Sequence, residues 1–220
     1  MRTLLLLLAI LLPPFGAWLY FIALADSTFA GDVYTGIKFL MILVAVCGWK
    51  WSGRSWRSIF SGTRHDIKLG IVFGFFVVVV LLIAFFLLRE QINAFAPLIE
   101  QKAASLFPLA LYLPIAAIFS VAHALLEEWY WRGYVFGELH RSLAPTMAAV
   151  VGAVAFTAHH VIVLSQLFPG SLVVLFSAGI FLAALMWIWL YRRTGSLLAP
   201  WVSHMIADAT IFLIGFILIQ

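Results

Sequence analysis

Long apolar runs alternate with short polar connectors along the whole chain. The runs lie at about 3–25, 33–49, 69–88, 108–126, 147–164, 172–191 and 196–219. A helix needs roughly 20 apolar residues to cross a hydrocarbon core about 30 Å thick, so each run predicts one crossing. In lipid every backbone polar group must be satisfied within the protein, which favours helices for continuous apolar runs of this length. The expected fold is an all-α polytopic membrane helix bundle of about seven transmembrane helices. The first run follows Arg2 and reaches Ala23, Leu24 and Ala25 as a cleaved leader would. It is longer than the apolar core of a usual leader, and we read it as a span. Pro13 and Pro14 predict a kink inside it.

Composition closes off the soluble alternatives. Of 220 residues, 65% are hydrophobic and 10% charged, against about half and about a quarter in soluble domains. With a mean hydropathy of +1.12, neither a water-soluble globule nor a disordered chain fits. The formal charge is +4, but the 13 Lys and Arg are spread between the runs rather than gathered on one face, which argues against nucleic-acid binding. Cys47 is the single cysteine, so no internal disulfide forms. Without repeats or low-complexity tracts, residues 1–220 read as one membrane domain.

Basic residues concentrate in every second connector: Arg2; Lys50, Arg54, Arg57, Arg64 and Lys68; Arg141; Arg192 and Arg193. The positive-inside rule then puts the amino terminus in the cytoplasm. Residues 53–68, with Arg54, Trp56, Arg57, Ile59 and Phe60, read either as an amphipathic piece on the lipid surface or as a plain basic loop. The short loops suit a bacterial plasma membrane.

Ionisable groups are costly inside a membrane and mark functional sites by default. Here they cluster: His123, Glu127, Glu128 and Arg132 close the fourth run, His159 and His160 lie on the fifth, and His204 and Asp208 on the seventh. Lys38, near a span end, can snorkel to the interface. At 3.6 residues per turn, Glu128 and Arg132 share a helix face and can pair, which leaves Glu127 on another face with His123 at i−4. Phe156 and His160, and His204 and Asp208, are likewise four apart. Residues 127 and 160 lie equally far from the turn before Pro145, about 24 Å of helix each, and so at equal depth. His204, soon after Gly195, is expected to be shallower unless that connector dips into the membrane.

A carboxylate beside imidazoles in a hydrated intramembrane cavity suits the activation of water, and hence hydrolysis. The zinc-protease pattern His-Glu-x-x-His is absent. Ser165, Ser171 and Ser177 lack a nucleophile-elbow context.

At these positions the sequence resembles the CPBP intramembrane proteases, which include the type II CAAX prenyl endopeptidases and bacterial Abi proteins linked to bacteriocin processing or immunity. Glu127-Glu128-Trp129-Tyr130-Trp131-Arg132 resembles the family's Glu-Glu-x-x-x-Arg. Phe156-Thr157-Ala158-His159-His160 resembles Phe-x-x-x-His, and His204-Met205-Ile206-Ala207-Asp208 resembles His-x-x-x-Asn/Asp. The motif-bearing core covers about 108–220. The resemblance implies an endopeptidase in which Glu127 and His160 activate water, Glu128 and Arg132 organise the site, and His204 and Asp208 support the oxyanion or water. An ionised Asp208 accepts hydrogen bonds only, so its role is to orient His204 unless it is protonated. Metal use stays open in this reading, with Glu127, His160 and His204 as the ligands for a divalent ion such as zinc.

Plainer roles stand beside these. Glu128 and Arg132 equally suit a structural ion pair. His123 and His159 read as cavity or helix-contact histidines, Phe156 as packing beneath His160, and Trp129, Tyr130, Trp131 and Tyr134 as an interfacial belt rather than a substrate lining. The competing functions are a transporter or proton relay, a haem protein using His123, His160 and His204, and a non-catalytic immunity or scaffold protein of the same fold. The expected partners are the bilayer and a peptide or protein substrate, lipidated or membrane-inserted.

Overall fold

A computed structural model describes residues 2–53, 55, 57, 60–106 and 108–220. Among them there is no strand, and seven helices are long and apolar enough to cross a membrane. These spans are Arg2–Ala23, Ala30–Ser52, Arg64–Leu87, Leu109–Ser142, Pro145–Ser165, Gly170–Thr194 and Leu198–Leu218. Two short helices, Arg89–Asn93 and Ala96–Leu106, join the third span to the fourth. The protein is an all-helical, multi-pass membrane protein. Of the surface piece expected over 53–68, residues 54, 56, 58 and 59 lie outside the described residues, and from Arg64 the chain is already the third span.

Six spans begin and end close to the expected positions. The fourth does not stop at 126 but runs on to Ser142. Its segment Glu128–Phe136 is a π-helix, set between the α-helical Tyr112–Glu127 and Gly137–Ser142. Bonds there run i→i+5, a geometry that is rare and frequently found at functional sites.

The chain forms two compact units. In the unit made of Met1–Ser58 and Trp129–Trp189, the first span packs on the second and the fifth. A helix leaves its last carbonyls without intrahelical partners, and at the end of the second span two arginines supply them. Arg2 donates to the Trp51 carbonyl at 2.6 Å and Arg141 to that of Ser52 at 2.8 Å, just before the left-handed Gly53.

In the unit made of Ile59–Glu128 and Leu190–Gln220, the seventh span packs on the third and on the α-helical start of the fourth. The third span opens where the Thr63 N–H donates to the Asp66 carboxylate at 2.6 Å, which satisfies one orphan donor. Gly70 and Gly74 then form the small-xxx-small stripe that lets membrane helices approach closely. A Cβ at Gly70 would sit 2.7 Å from the Ala199 carbonyl oxygen, and one at Gly74 would sit 2.7 Å from Ile206. The Trp201 indole donates to the Val121 carbonyl at 3.0 Å and ties the seventh span to the fourth.

Candidate active site

The second of these units gathers four of the six site residues expected from the sequence. Its centre is His204, 3% exposed, six residues into the seventh span. His204 Nδ1 lies 2.7 Å from Glu128 Oε1 and makes a hydrogen bond, the glutamate being fully buried. On the other side of the ring, Nε2 lies 3.4 Å from Asp208 Oδ1 and 3.7 Å from Glu127 Oε2. The second oxygen of Glu127 lies 3.8 Å from His123 Nε2, one helical turn back. Glu127 thus stands between a buried imidazole and a half-exposed one.

His204 is not held away from Glu127 by its position near the start of the seventh span. The connector before it turns at Gly195, with φ +70°, and Ser196 and Leu197 are fully buried. Ser196 is held by Thr194, whose hydroxyl accepts from its N–H at 3.2 Å and donates to its carbonyl at 3.0 Å. The span therefore starts inside the protein, which offsets its short lead.

Arg132, Phe156 and His160 belong to the first unit. His160 Nδ1 lies 2.9 Å from the Phe156 carbonyl, which can only accept, so Nδ1 carries the proton and Nε2 carries the lone pair. The Phe156 ring packs under His160 as expected, with centroids 4.6 Å apart. The Arg132 guanidinium, 1% exposed, lies over the Phe156 ring at 4.5 Å and the Trp187 ring at 5.0 Å. A weakly hydrated planar cation suits such a dry aromatic seat. The pairing of Glu128 with Arg132 was expected from α-helical spacing. Both residues lie in the π-helical stretch Glu128–Phe136.

The expected aromatic belt is also corrected. Trp129, Tyr130, Trp131 and Tyr134 are all buried, as is every residue of 127–136. Tyr130 donates to the Ala9 carbonyl at 2.7 Å, and Trp131 stacks in parallel on His159 with centroids 5.6 Å apart. Tyr134 fills the space that a side chain at Gly48 would need. Sequence reasoning missed this packing and Trp187 as the second seat for Arg132. The available signal was that six of the eight residues from 129 to 136 are aromatic or aliphatic, on all sides of the helix, with Arg132 and Gly133 between them, the mark of a helix buried all round.

Residues 108–210 match the family model of the type II CAAX prenyl endopeptidases, Rce1-like. Over these residues the chain is similar to that family. The Rce1-like stretch holds Glu127, Glu128, Arg132, Phe156, His160, His204 and Asp208, and its family is one of membrane-embedded endopeptidases. No curated protein and no solved structure matches the chain. In chemical terms the Rce1-like domain presents a carboxylate whose two oxygens face imidazoles, and histidines whose Nδ1 atoms are anchored on a carboxylate or a backbone carbonyl. Such anchoring fixes the tautomer and ring orientation of a base or a metal ligand.

Proposed function

We propose that the protein is an intramembrane endopeptidase that cleaves a peptide bond next to the membrane, of the CAAX type, using water activated by Glu127 and His160. The observation that carries this reading is the position of Glu127 at 3.7 Å from the buried, carboxylate-anchored His204, inside the Rce1-like match.

The water oxygen adds to the scissile carbonyl carbon while its proton passes to Glu127. Collapse of the tetrahedral species breaks the C–N bond, and Glu127 returns the proton to the leaving amine. His160, with Nδ1 tied to Phe156, turns its Nε2 lone pair to the water. His204 donates from Nε2–H to the oxyanion. Asp208 Oδ1, 3.4 Å from that same Nε2, holds the N–H in the resting site and yields it to the oxyanion as charge develops there, a role open to an ionised carboxylate. Glu128 holds Nδ1, and Arg132 stiffens the floor beneath His160. Glu127 and His160 also supply donor types of a divalent ion such as zinc, which would polarise the carbonyl and acidify the water, whereas His204, with both ring nitrogens donating, offers it no lone pair.

The amino terminus is cytoplasmic in this account. Arg2 and Arg141 both bind the end of the second span, so these basic positions lie at one end of their unit, as the alternation of charged connectors requires.

The test is an internally quenched farnesylated peptide ending in a CAAX box, offered to the purified protein in liposomes. Cleavage by the wild type and its loss in Glu127→Gln are expected. An intact peptide with active-site geometry unchanged would overturn the CAAX assignment.

A further inference from the structure

We propose that His123 is a positioning residue for Glu127, holding the carboxylate plane so that Glu127 can accept the proton of water. The inference rests on the reading of Glu127 as proton acceptor. It concerns a residue outside the three motifs that carry the family resemblance.

Phe119, His123 and Glu127 are spaced four apart on the α-helical part of the fourth span, before the π-helix begins. Side chains at that spacing lie one above the other. The Phe119 ring is exposed, the His123 side chain is 38% exposed and that of Glu127 is 11% exposed, so the ladder descends from the surface into the site. Phe119 stacks on the His123 ring, with centroids 6.2 Å apart and planes 27° apart, which sets the direction of Nε2. Nε2 then faces Glu127 Oε1 at 3.8 Å while Oε2 faces His204 at 3.7 Å.

A general base needs a defined carboxylate orientation, and a glutamate has three side-chain torsions with which to lose it. An imidazole on each oxygen restrains the group at both ends. The separations exceed hydrogen-bond length, which is common for catalytic contacts that tighten only when substrate is bound. An imidazole in the hydrophobic zone is also costly to keep without a polar partner, and Glu127 is the partner its geometry shows.

The same peptide assay, run with His123→Ala, His123→Gln and Glu127→Gln together with thermal unfolding of each, decides the point. His123→Ala should lower kcat by roughly 10-fold or more, the worth of a hydrogen bond to a charged group. KM and the melting temperature should stay with the wild type. His123→Gln, which keeps an N–H donor, should recover most of the rate and guards against a fold defect in the alanine variant. Full rate in His123→Ala beside an inactive Glu127→Gln overturns the positioning role and leaves the Glu127 reading standing. A His123→Gln as slow as His123→Ala also overturns it, because ring packing on Phe119 would then be the property that matters. Full rate in Glu127→Gln overturns the parent reading and this one with it.

Discussion

His204 donates from Nδ1 to Oε1 of Glu128 across 2.7 Å, with both side chains shut away from solvent. Removing either partner leaves the other buried without it, which typically costs about 3–5 kcal/mol. Glu128→Ala and His204→Ala should each destabilise the protein by about that much, and the double variant by clearly less than their sum. Denaturant unfolding in mixed micelles measures the cycle. Additive losses would mean that the two side chains do not support each other.

Arg132 offers a different kind of test, because its guanidinium lies over Phe156 and Trp187. Arg132→Lys keeps the charge but loses the flat, weakly hydrated cation. A desolvated cation–π contact is worth about 2 kcal/mol. Arg132→Lys should therefore lower stability by roughly that amount and slow cleavage, since Phe156 also carries His160. A lysine variant with wild-type melting would show that charge alone is needed.

Gly70 sets the closeness of the third and seventh spans, and the seventh carries His204. Gly70→Ala drives a methyl against the Ala199 carbonyl and should cost about 1–3 kcal/mol, as overpacking usually does. Gly179→Ala meets nothing within 4 Å, so it should be neutral or slightly stabilising. Melting curves of the pair separate close packing from a general response to alanine.

Topology can be read with reporter fusions placed after Asp32 and after Arg64. The second span lies between those points, so the two fusions should report opposite sides, with the Arg64 fusion cytoplasmic. The same side for both would remove the second span.

The apolar runs made seven spans legible, because crossing length and hydropathy are local properties. The end of the fourth span was not legible. Glu127, Glu128 and Arg132 lower hydropathy as a boundary does, yet here they turn inward and the helix continues to Ser142. A change from i→i+4 to i→i+5 bonding leaves no trace in residue type, and the hydrogen bond of Glu128 to His204, 76 residues away, lies beyond any helical spacing. The aromatics at 129–134 look like a belt for the same reason: four such rings beside charges suit an interface as well as a core. The depth of His204 depended on the burial of Ser196 and Leu197, which small and apolar residues in a connector do not announce. The Phe156–His160 pair was legible, being one α-helical turn apart in an undistorted helix.

The most direct measurement compares Glu127→Gln with Glu128→Gln, reading peptide cleavage and melting on the same preparations. Glu127 lies 3.8 Å from His123 and 3.7 Å from His204, whereas Glu128 is fully buried on a short hydrogen bond to His204. The account predicts that Glu127→Gln loses about 10²- to 10⁴-fold in rate, the usual worth of a general base, and melts with the wild type. Glu128→Gln should lose stability and activity together. Full cleavage by Glu127→Gln, or a destabilised Glu127→Gln beside an unaffected Glu128→Gln, would contradict the account.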